Sequence, residues 1–415
     1  MSRRNSILII IAVILIIIGG LLFFYFSSNS TNNNTTGSTQ TNTNPFGNTS
    51  QNRATSTSTG TTGNSQTPGT TKNLSKLMQL YKNPTSGSVF FTNKNNQDVL
   101  RFIDRAVGNA YEYIPETQTG EVKRITNTTV PEIQETVWSS TGNSLVLRYL
   151  EDVNDNISSF SAKIITSTSS SDAVGQMTGA FSSSNIKQLA ISPKGDKIFG
   201  LVDKSDKSGT YGFTTNLDGS SKKIIFDSPI SYWNISWPKD NVITFTTKPN
   251  YGDEGLLYFF NPQTYSMDRI LGGITGMSTL VNKDASLVAY SYSTNNSFSL
   301  DVYDTINKIN KNLTISTLAD KCVWGNSNSK ILYCAVPGSI TSSKYPDAWY
   351  LGLESFSDNI WKIDTGTGAM QQIYQIGSNE NASIDAFDLK ISLDDQYMTF
   401  SDKNDLSLWL LQIKE

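Results

Sequence analysis

Between Pro337 and Trp361 the chain reads PGSITSSKYPDAWYLGLESFSDNIW, gathering Tyr345, Asp347, Trp349, Tyr350, Asp358 and Trp361 within 25 residues. Indole and phenol rings are large, stiff and polar at one end, so they anchor interfaces and stack on the faces of sugars. Long connections on a rigid scaffold are where such binding residues collect. Tyr345, Asp347, Trp349, Tyr350 and Asp358 are therefore the candidate binding residues. The alternative is that the rings cap the body of their own domain. Cys322 and Cys334 form a second chemically meaningful pair, at the two ends of CVWGNSNSKILYC. If the segment is a hairpin, the two lie on adjacent strands as a candidate disulfide. Closing so short a loop would contribute about 2–3 kcal/mol at best. Two reduced buried thiols are the other reading.

The composition excludes more than it assigns. The chain of 415 residues contains no histidine, which removes Ser-His-Asp and Cys-His catalysis, HExxH zinc sites and imidazole-ligated haem. No G-x-S-x-G elbow, P-loop or dinucleotide fingerprint is present. The acidic turn from Asp203 through Asp206 to Gly209 is too short for a twelve-residue calcium loop and reads as solvated. No cofactor, metal ligand or catalytic residue is assigned. Setting aside the four basic residues before Leu74 leaves 29 basic and 36 acidic groups over 74–415, a net charge of −7. With no basic stripe interleaved with aromatics, nucleic acid is not an expected partner.

From Ser88 onward, short runs of Val, Ile, Phe, Tyr and Trp alternate with Gly, Asn, Asp and Ser clusters, the pattern of many short antiparallel strands. Only Leu74–Lys82 (LSKLMQLYK) has helical spacing, enough for two turns. An apolar anchor, a polar turn and a new apolar strand recur at Phe91, Trp138, Ile191, Trp237, Val281, Trp324 and Ile391, spaced 47, 53, 46, 44, 43 and 67 apart. A period of about 40–50 residues with four strands each predicts an all-β propeller. Seven blades fit best, while the weak first copy leaves six or eight compatible. The last copy ends after its third strand, Leu406–Ile413. Residues within Leu77–Phe91 are expected to supply the missing outer strand, because a ring should not leave an open edge.

The clearest copy, Ile191-Ser192-Pro193-Lys194-Gly195-Asp196-Lys197-Ile198-Phe199, resembles the repeat of TolB-type propellers, relatives of the WD-repeat ones, and Trp138, Trp237 and Trp324 occupy its aromatic position. The resemblance covers residues 88–413 in short, degenerate motifs. It implies the fold, and a role as a binding adaptor in the way TolB-type propellers serve.

The N-terminus places this domain. Ile7–Phe26 is a run of 20 uncharged residues, long enough at about 30 Å to cross a bilayer. Arg3 and Arg4 precede it and no charge follows until Arg53, so the positive-inside rule puts the C-terminal bulk outside the cytoplasm. The expected organisation is a cytoplasmic stub and signal anchor over 1–26, a disordered Ser/Thr/Asn-rich linker over 27–73, and the propeller over 74–415 with an insertion near 337–361. Two functions fit: a binding or scaffold module for a protein or glycan partner in the cell envelope, and a carboxylate-dependent carbohydrate-active enzyme using the central cleft.

Overall fold

The recurring polar turn closes on itself. In the computed structural model, which describes residues 76–117, 121–150, 157–166, 174–182, 185–376 and 383–414, the Ser192 hydroxyl accepts the backbone N–H groups of Asp196 and Lys197, and the Ser192 N–H donates to the Lys197 carbonyl. Asn282 and Ser392 bond their own turns in the same way, and Ser139 accepts the Ser144 N–H. The fourth residue of each turn must then take a left-handed backbone: Gly142, Gly195, Ala285 and Asp395 have φ of 66°, 70°, 56° and 58°. The weakest copy obeys the same rule through Asn93 and Asn96, with φ 59° at Asn96.

Gly142 carries a second demand. A Cβ there would lie 2.3 Å from the Phe91 ring, and that ring is buried beneath the Arg101 guanidinium, 4.7 Å from its centroid. Gly142→Ala should cost about 1–3 kcal/mol, combining left-handed strain with overpacking. Gly219, also left-handed but open to solvent within 4 Å, isolates the strain alone. Urea unfolding of both alanine variants checks this, and equal losses would refute the packing contribution.

Each turn joins the first two strands of a four-stranded antiparallel blade, and there are seven blades. Their innermost strands are Thr85–Thr92, Ile133–Trp138, Ile186–Ile191, Trp233–Lys239, Ser278–Val281, Cys322–Trp324 and Ala386–Ile391. All seven anchors read from the repeats sit at or near the ends of these strands. The core lies between blades. Phe199, Phe226, Trp233, Phe245 and Phe260 interleave blades three and four, with Phe199 edge-on to Phe245 at 5.6 Å. Polar groups add to the seams. The Trp138 indole donates to the Gly87 carbonyl of the preceding blade, and that of Trp324 to Leu280. Arg148 donates to the carbonyls of Ile186 and Lys187 in the following blade. The Trp237 indole N–H, at the equivalent position, is buried with no acceptor among the described residues.

Leu77–Tyr81 is the outermost strand of blade seven, pairing Leu77 with Leu411 and Met78 with Leu410. The ring is thus closed from the N-terminal side, as expected from the unpaired last strand. The helical turns expected over 74–82 are not formed where the structure describes them. A buried, otherwise open sheet edge offers Leu77 and Leu80 both backbone partners and apolar cover, and this outweighs a local helical preference. Cys322 and Cys334 lie directly opposite each other on the first two strands of blade six and are joined as a disulfide, Cα–Cα 4.1 Å. No helix among the described residues is long and apolar enough to cross a membrane. The expected span Ile7–Phe26 and linker 27–73 lie outside them.

Candidate functional site

The wide spacing before the last repeat arises from one connection, residues 338–357, between the second and third strands of blade six, Ile331–Pro337 and Asp358–Asp364. Pro337, Asp358 and Trp361 are strand residues. Within the connection, Pro346 opens a helical turn, Asp347–Tyr350. Tyr345 is fully buried, edge-on to Phe298 of blade five at 4.9 Å, and donates its hydroxyl to the Thr341 carbonyl. With Leu318, Ala348, Trp349 and Phe356 these rings form a small core of their own. Asp347 reaches blade four, accepting the Tyr251 N–H. The insertion is thereby held against blades four and five.

Its root is ionic. Lys321, in the short turn before blade six, places its ammonium 2.8 Å from Asp358 and bonds Asp385 and the Ala386 carbonyl, all three charged side chains being excluded from solvent. Asp385 also accepts the Trp349 indole N–H at 2.9 Å and the Phe356 N–H at 3.1 Å. Burial pushes the Asp358 carboxyl up to about 6, against the pull of Lys321 and with a smaller push from Asp385. Two carboxylates sharing one cation in a dry site carry a surplus negative charge, which a proton on Asp358 relieves.

The blades surround a central cavity of about 950 Å³. Trp138, Trp237 and Trp324 from the inner strands line it, and Trp349, Tyr350 and Phe387 join them. Of the five residues singled out in the sequence, Trp349 and Tyr350 reach the cavity. Tyr345, Asp347 and Asp358 do not line it, and serve the insertion's packing and attachment. Among the described residues three carboxylates line the cavity and each is engaged: Glu135 by Arg148, Asp388 by Lys390 at 2.7 Å, Asp320 by the Tyr350 hydroxyl at 2.9 Å. The carboxyls whose proton affinity is raised lie elsewhere. Besides Asp358 these are Asp402, raised by burial, and Asp98, pushed to about 7 by burial and next by Asp394. Asp206 accepts the Ser208 N–H of its own exposed turn.

Lys321, Asp385, Arg105 and Lys403 carry no signal in the sequence. Lys321 and Asp385 stand 64 residues apart, and Arg105 and Lys403 read as ordinary surface charges until the ring brings them to its centre.

No family model and no curated protein matches the chain. Among solved structures, an oligogalacturonate lyase from Vibrio parahaemolyticus is similar with a TM-score of 0.50 at 10% identity, over 82% of this chain and 98% of the lyase. A puromycin-hydrolyzing peptidase of Mycobacterium tuberculosis gives 0.48 at 12% identity over 77% of this chain, which spans about half of that protein (51%). TolB from Acinetobacter baumannii gives 0.40 at 11% identity over 79% of each. At such identities the likeness is one of fold.

Proposed function

We propose that this protein is a membrane-tethered, extracytoplasmic binding module that receives a glycan in the central cavity of its propeller. The observation that carries the reading is the cavity itself, roomy, open, and walled by indole rings with polar strand residues between them. Flat aromatic faces stack on the C–H faces of pyranose rings, while serine and threonine hydroxyls meet the sugar's own. Tethering rests on the apolar run Ile7–Phe26, and the outward orientation on Arg3 and Arg4. The Cys322–Cys334 bond favours an oxidising compartment. The enzymatic alternative has less support, since glycoside cleavage asks for a protonated acid beside the substrate, and the cavity's carboxylates are each taken by a neighbour.

The reading is tested by titrating the full-length chain in detergent with oligosaccharides released from envelope material and following tryptophan fluorescence. Tyr350→Ala and Phe387→Ala should each weaken binding about tenfold, as loss of a stacking anchor does. Unchanged titrations in both variants would remove the cavity from the account. Protease added to intact cells tests the compartment: a propeller digested only after lysis would reverse the orientation.

A further inference from the structure

Over residues 74–415 acidic groups exceed basic ones by seven, yet among the charged residues lining the cavity the two signs are equal, three against three. Arg105, Lys390 and Lys403 line it against Glu135, Asp320 and Asp388. Arg148 neutralises Glu135 from outside the cavity, and Lys390 neutralises Asp388. What remains is Arg105 and Lys403 against Asp320, whose carboxylate is occupied by the Tyr350 hydroxyl. Among the described residues neither remaining cation has a carboxylate within ion-pair distance. The Arg105 guanidinium donates to the Gln134 side-chain oxygen, and the Lys403 ammonium stands 5.2 Å from the centroid of the Trp349 ring.

The two cations occupy equivalent places in adjacent blades. Arg105 directly follows the second strand of blade one, Asp98–Asp104, and Lys403 directly follows the second strand of blade seven, Tyr397–Asp402. In each case the preceding aspartate bonds the turn that presents the cation: Asp104 accepts the Ala106 N–H at 2.9 Å and Asp402 the Asn404 N–H at 3.1 Å. The same connection of blade six is the insertion bearing Trp349 and Tyr350. Blades six, seven and one thus deliver aromatic rings, a lysine and an arginine, in that order, to one mouth of the cavity. Cations without a carboxylate partner, held on short turns beside stacking surfaces, are preorganised for an anion joined to a flat apolar face.

We infer that the cavity selects an acidic saccharide, one whose sugar rings carry carboxylates, and that Arg105 and Lys403 are the groups that recognise the charge. The inference rests on the cavity being the binding site. A polypeptide with a free carboxylate shares the anion but not the stacked, hydroxyl-rich ring.

The test uses the full-length chain in detergent, tryptophan fluorescence, and three probes: a uronate trisaccharide, a neutral trisaccharide and an acidic tripeptide. The uronate probe should bind at least tenfold tighter than either other. Its affinity should fall several-fold between about 50 and 300 mM salt, as screening shortens the reach of the two cations. Lys403→Gln and Arg105→Gln should each weaken it about tenfold, Lys403→Arg should retain most of it, and thermal midpoints should stay near wild type because neither side chain holds an ion pair. Equal binding of neutral and uronate probes, or wild-type affinity in both glutamine variants, overturns the inference while leaving the cavity as a glycan site. Preference for the tripeptide overturns the saccharide assignment. No response to any probe overturns both this inference and the cavity reading.

Discussion

Replacing Lys321 by methionine should lower the stability of the fold by about 3–5 kcal/mol, the cost of leaving a buried charge without its partner. Lys321, Asp358 and Asp385 have no solvent-accessible side-chain surface, so water cannot substitute for the missing ammonium. Asp385 also holds the Trp349 indole and the Phe356 N–H, so the insertion should loosen together with the seam between blades six and seven. Lys321→Met combined with Asp358→Asn and Asp385→Asn should recover most of the loss, because the triple variant removes the charges along with their neutraliser. Urea unfolding of the single and triple variants decides it. A single-variant loss below about 1 kcal/mol would mean the cluster is not the insertion's root.

The same cluster sets a pH dependence. The folded state holds the Asp358 proton more tightly than the unfolded chain, with the carboxyl raised from 3.8 to about 6. Its contribution to stability is therefore fully present below the lower value and is lost as pH rises through the upper one. The stability of wild type relative to Asp358→Asn should fall across that window and level off above it. Surface aspartates held below their ordinary range, such as Asp304 and Asp364, act in the opposite sense, but equally in both proteins. A difference that rises with pH would refute the assignment.

A chain lacking residues 1–82 should be the other severe case. Leu77 and Leu80 are buried at 2% and 7% exposure, and burying two such side chains contributes about 3–6 kcal/mol. Without Leu77–Tyr81 the strand Leu408–Gln412 becomes a bare edge, open to pairing with another chain. The truncated chain should melt well below a chain beginning at residue 76 and should aggregate at concentrations where the longer one does not. Equal midpoints and equal scattering for the two would show that the ring does not depend on this closure.

These expectations divide by the distance over which their causes act. Five of the seven turns were legible because each is closed within five or six residues, Ser192 reaching Lys197 and Asn282 reaching Leu287. Blade count and the need for an outer strand followed from those turns and from the truncated last repeat. Leu77–Tyr81 was less plain: its spacing suits a helix in isolation, and only the waiting edge of blade seven makes it a strand. In the insertion, composition marked the long connection but not the packing roles within it. Tyr345 and Trp349 bury their rings, Tyr350 lines the cavity, and Asp358 turns away from any ligand toward Lys321.

What the sequence by itself determined, then, is the repeated hairpin with its serine or asparagine cap and left-handed fourth residue, since local hydrogen bonds depend on neighbours a few positions away. Only the tertiary structure decided which charges are buried, which are paired and which stand free. Asp358 and Asp385 meet Lys321 only once blades six and seven have packed together, and Arg105 meets the same cavity as Lys403 only once blades one and seven stand side by side. The behaviour of an ionisable group follows from its burial and its partners, and those are set by residues from distant parts of the chain.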